Sequence, residues 1–64
     1  MSHIIDHLSV GICVAVTKGP LRDNWGYVQT VDNISRVARV RFVDGIATAD
    51  VLIHYQYLQI VDME

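Results

Sequence analysis

The stretch Arg36-Val37-Ala38-Arg39-Val40-Arg41-Phe42-Val43-Asp44-Gly45 decides how the rest of the chain is read. Ala38, Val40 and Phe42 alternate with Arg39 and Arg41, the period-two pattern of a strand with one face in a core and one in water. Asp44-Gly45 follows at the strand end. Both central residues of a type I′ turn need positive φ, so this dipeptide predicts a tight hairpin. A returning antiparallel strand is then expected over Ile46–Ile53, with Thr48 and Asp50 opposite in facing to Ala47, Ala49, Val51 and Ile53. His54-Tyr55-Gln56-Tyr57 breaks the alternation and is short enough for one 3₁₀ turn. Leu58–Asp62 reads as a last short strand.

The same reasoning extends toward the N-terminus. Trp25–Asp32 is rich in aromatic and β-branched residues and reads as a strand, with Gly26 marking a bulge or a close backbone approach. Asp32-Asn33-Ile34-Ser35 carries short polar side chains able to bond their own backbone, and so predicts the turn into Val37–Val43. Upstream, Ile12, Val14 and Val16 share one face of a strand, and Cys13 and Ala15 the other. Lys18-Gly19-Pro20 ends it, because proline has no N–H for the ladder and glycine admits positive φ. Residues 1–10 are expected to form an arm that is loose or lays Ile4, Ile5 and Leu8 on a neighbour. Residues 11–62 form the domain proper. Five short strands must hide their edges, which predicts an all-β, five-stranded SH3-like barrel with a 3₁₀ turn before the last strand.

Length and composition bound what such a domain can do. Sixty-four residues leave room for one domain, and roughly 60% of the unfolded surface can be buried at this size. The chain is 52% hydrophobic and 19% charged, too apolar for a disordered tail. A single cysteine excludes an internal disulfide framework and a Cys-rich zinc site. Neither a membrane span nor a secretory signal is present in the pattern, so a cytoplasmic location is expected. The net charge of −2 is opposite to the basic footprint of proteins that neutralise many phosphates. Only Arg36, Arg39 and Arg41 concentrate positive charge locally.

The segments Gly11-Ile12-Cys13-Val14-Ala15-Val16-Thr17-Lys18-Gly19-Pro20-Leu21, Gly26-Tyr27-Val28 and Val37–Phe42 resemble the KOW motif. That motif occurs in NusG-like transcription factors and several ribosomal proteins. The resemblance covers Gly11 to Phe42, with Gly19 and Gly26 as anchors beside Pro20, and it implies a small barrel that docks on protein or on a protein–nucleic-acid assembly. Ribosomal members carry lysines and arginines between the two glycines. Here the interval holds Arg22, Asp23, Asn24 and Trp25, a departure that shifts weight from RNA toward protein contact. Val51-Leu52-Ile53-His54-Tyr55 is also similar to the Val-Gln-Ile-Tyr segment of the plasmid-borne dihydrofolate reductases, but Leu52 stands where the pore glutamine would be and cannot make its hydrogen bonds.

No residue pattern here builds a catalytic site. Cys13 has no base beside it and reads as a small buried hydrophobe. His3 and His7 have helical i, i+4 spacing but lack further ligands, so no metal and no cofactor is expected. What remains is a binding surface, with Arg22, Trp25, Tyr27, Arg36, Arg39, Arg41 and Tyr55 as its candidates. Trp25 either stacks on a partner or caps the core; Arg39 and Arg41 are either contacts or the solvated side of their strand. Nucleic acid through the arginines and aromatics is the alternative to a protein partner. A barrel this small cannot enclose Ile4, Ile5, Leu8, Val10, Val37, Val43, Ile46 and Leu52 along with its core valines. The apolar excess predicts a homo-oligomer.

Overall fold

The computed structural model describes residues 5–43 and 50–61. Its elements are β1 (Cys13–Val16), β2 (Trp25–Asp32), β3 (Val37–Phe42), β4 (Val51–His54), a 3₁₀ turn (Tyr55–Tyr57) and β5 (Leu58–Ile60). All ladders are antiparallel, and the strand order is β4-β3-β2-β1-β5. The dimensions of 28 × 26 × 24 Å rule out a flat sheet, which would be about 10 Å thick in one direction. The sheet instead curls into a small SH3-like barrel, and the 3₁₀ turn carries the chain from one edge strand, β4, to the other, β5. No helix among the described residues is long and apolar enough to cross a membrane.

Alternation places the core. Ala38, Val40 and Phe42 of β3 point inward, joined by Val14 and Val16 of β1, Val28 of β2, Ile53 of β4 and Leu58 of β5. Both β2 and the turn of β3 out of it stand where the sequence puts them. Gly26 faces the backbone of β3: a Cβ there would lie 2.8 Å from the carbonyl carbon of Arg41 and 2.9 Å from Phe42 Cα, so only glycine lets these strands pair so closely. The register slip in β2 falls later, between Val28 and Thr30. Gly19 takes positive φ (89°) to leave β1, with Arg22 N–H donating back to its carbonyl at 3.1 Å. The Asp44-Gly45 turn and residues 46–49 of the expected fourth strand lie outside the described residues.

Two expectations need correction. The expected arm, loose or laying Leu8 on a neighbour, does not hold at Leu8, which is 1% exposed and packs in the barrel's own core. The reason is a polar clamp. Asn33, in the β2–β3 turn, accepts from Leu8 N–H at 2.9 Å and donates to Leu8 C=O at 3.3 Å. Tyr55 was a candidate for the binding surface, yet it too is 1% exposed. Its hydroxyl donates to the same Asn33 Oδ1 at 2.6 Å, and its N–H donates to Arg36 C=O at 2.8 Å. Burial pushes the Tyr55 phenol above its usual pKa, with Asp32 adding to the effect. Tyr55 is therefore a core residue whose polar tip is satisfied internally.

Candidate interface on the outer face of the sheet

The ladders set which outward side chains are neighbours. In one row across β4, β3 and β2, Leu52 stands opposite Arg39, and Arg39 opposite Thr30. In the next, Arg41 stands opposite Tyr27 and holds Asp50. In the third, Val43 N–H donates to Trp25 C=O at 3.3 Å, so Val43 adjoins Trp25. Residues two apart on a strand share a face, so all three rows lie on the outer side of the sheet. Trp25 (38% exposed) and Tyr27 (37%) meet edge to face with ring centroids 6.2 Å apart. Leu52 is 65% exposed and Val43 is 47%. An edge-to-face aromatic pair is a rigid apolar element with few rotamers to lose on binding.

Charge is distributed unevenly over the candidate arginines. Arg41 grips Asp50 with two hydrogen bonds, Nε to Oδ1 at 2.9 Å and Nη2 to Oδ2 at 3.4 Å. Arg36, in the β2–β3 turn at a positive φ of 61°, lies 3.6 Å from Asp6. Arg22, in the β1–β2 loop, lies 3.6 Å from Asp23. Arg39 makes no ion pair among the described residues. The structure thus brings Trp25, Tyr27, Arg39 and Arg41 together on one face with Leu52 and Val43. Arg22 and Arg36 sit in loops, and Tyr55 is inside. Asp44 and Gly45 lie outside the described residues, while Pro20 is exposed in the loop after Gly19.

Nothing in this arrangement supplies a reactive group. Cys13 is buried, and burial pushes its thiol above the usual value, the opposite of an activated nucleophile. Among the described residues no three His, Cys, Asp or Glu side chains come together. His3 lies outside them. The sequence reading missed Asn33 as an organising residue. Its type signalled only a turn, and its partners are 22 and 25 residues away.

No family model matches the sequence, and no curated protein does. The fold is similar to a chain in a crystal structure of the MjSpt4:Spt5 complex, with a TM-score of 0.84 and 17% identity over 98% of this chain. The likeness is one of fold, and it supports the KOW-like barrel that the sequence resemblance implies. The chain spans 43% of the length of the one it matches.

Proposed function

We propose that this barrel is a non-catalytic binding module, cytoplasmic, that docks on protein within a larger assembly through the outer face of β2, β3 and β4. The observation that carries this reading is the clustering of Trp25, Tyr27, Val43 and Leu52, all partly exposed, on one sheet face around Arg39 and the Arg41–Asp50 pair. Apolar surface gathered in this way and rimmed by charge marks interaction sites, and aromatic and arginine side chains dominate their energetics. Similarity to a member of a protein complex supports the same reading.

Nucleic acid has weaker support. Three of the four candidate arginines already lie beside carboxylates, which lowers the positive charge left for phosphates. The test is site-specific photo-crosslinking in the native host, with a benzophenone amino acid replacing Leu52 or, as control, the exposed Lys18 of the β1–β2 loop. A discrete protein adduct from position 52 and none from position 18 is expected. Equal labelling from both positions, or none from either, would sink the reading. Anisotropy titration with single-stranded RNA at low salt should give no binding in the micromolar range; tight, salt-sensitive binding would put nucleic acid first.

A further inference from the structure

We infer that the protein seated on this face is a second copy of the chain, paired by a two-fold axis running across the strands at the level of Tyr27 and Arg41, so that Arg39 of each copy lies over Trp25 of the other. The inference rests on the proposal that the outer face docks protein, and it identifies the occupant. A two-fold interface brings a patch against itself, so the patch must be self-complementary: what stands at one end has to fit what stands at the other.

The three rows meet that condition. At one end is Arg39, the guanidinium without an ion pair among the described residues, between Leu52 and Thr30. At the other is Trp25 with Val43 beside it. The ends are separated by two steps of two residues along β3, about 13 Å at the usual rise. An axis midway between them superposes the first row of one copy on the third row of its partner. Arg39 then meets the Trp25–Val43 end, and its long side chain spans the one-strand offset to the indole. A guanidinium on an indole face is the strongest of the common cation–aromatic pairings, and the symmetry makes it twice. At the level of the axis each Arg41 arrives with its own Asp50, so the centre of the interface is neutral rather than a clash of like charges. Leu52 and Val43 supply the apolar flanks. A patch of three rows across three strands is small beside a standard-size interface, so a weak and reversible dimer is expected.

The test uses the full chain. Sedimentation equilibrium from micromolar to high-micromolar concentration should resolve a reversible dimer, and Trp25, the chain's one tryptophan, should change its emission over the same range. R39Q should weaken the dimer by about tenfold or more while leaving the melt of the dilute, monomeric chain unchanged, since Arg39 is exposed; R39K should lose less. W25L should match R39Q, and the double variant should be no weaker than either single one, because each removes the same contact. Should W25L perturb the fold, R39Q and the concentration dependence of Trp25 emission still decide. A monomer throughout, or a dimer indifferent to R39Q, would overturn the pairing. The crosslinker at position 52 separates the two failures: an adduct to a different protein from a monomeric chain overturns self-pairing and keeps the docking reading, whereas no adduct removes both.

Discussion

The Leu8–Asn33–Tyr55 cluster and the Trp25–Arg41–Leu52 face obey opposite rules. In the first, apolar bodies are hidden and polar atoms are answered: one side-chain amide serves Leu8 N–H, Leu8 C=O and the Tyr55 hydroxyl. In the second, large apolar side chains remain in solvent, and Arg39 has no carboxylate among the described residues. Stability should therefore concentrate in the first region and association in the second, so substitutions can move one property without the other.

Leu8→Ala should break the comparison hardest. Leu8 is among the largest fully buried side chains, and truncating such a residue costs about 2–5 kcal/mol through lost transfer energy and the cavity left behind. In a domain this small that is a large share of the total stability, measurable by chemical denaturation. Deleting residues 1–8 should accordingly unfold the barrel rather than merely detach an arm. A deletion variant with an unchanged melt would mean that Leu8 contributes nothing to the core.

Asn33→Ala and Tyr55→Phe sharpen the same contrast at intermediate size. The first strips partners from both Leu8 backbone groups and from the hydroxyl, and should cost roughly 2–3 kcal/mol; the second removes one neutral hydrogen bond, about 1 kcal/mol. Tyr55 also predicts a pH effect. Its folded pKa is raised, so the phenol is favoured neutral in the folded state. Its stabilisation is complete below the unfolded value near 10 and is lost as pH rises through the higher folded value. Wild type should lose stability in that alkaline window relative to Tyr55→Phe, and parallel pH profiles for the two would refute the assignment.

These residues also mark where the sequence was readable. Alternation revealed both faces of β3 and the span of β2, because in a strand facing is a matter of parity. Gly26 signalled a bulge or a close approach, and the strands make the close approach there. Leu8 and Tyr55 lie outside any periodic run, Leu8 before β1 and Tyr55 in the 3₁₀ turn, so parity says nothing of their facing. Their burial depends on Asn33 far along the chain, and the slip between Val28 and Thr30 carries no glycine or proline to betray it. The outer face was legible as composition, in its arginines and aromatics, but pairing was not. That Arg41 is held, and Arg39 is not among the described residues, follows from where Asp50 lands beside β3.

Arg41 and Asp50 offer the next smaller effect. Arg41 is exposed, so a double-mutant cycle of Arg41→Gln and Asp50→Asn should return at most about 1 kcal/mol of coupling, even with two hydrogen bonds. A coupling of several kcal/mol would show that the pair is a structural clamp rather than a neutral part of the interface.

Leu52→Ser should have the smallest effect on folding and so gives the sharpest separation of the two regions. With 65% of its surface already in water, Leu52 has little burial to lose, and the change in unfolding free energy should stay within about 0.5 kcal/mol. Ile53, the next residue in the same strand, points into the core at 8% exposure, and its serine variant should cost several times as much. Two adjacent residues in one four-residue strand thus report on opposite faces. Denaturation should register the inner change, while sedimentation equilibrium should register the outer one as a weaker dimer. A Leu52→Ser chain destabilised as severely as Ile53→Ser would place Leu52 in the core and remove the apolar flank from the proposed interface.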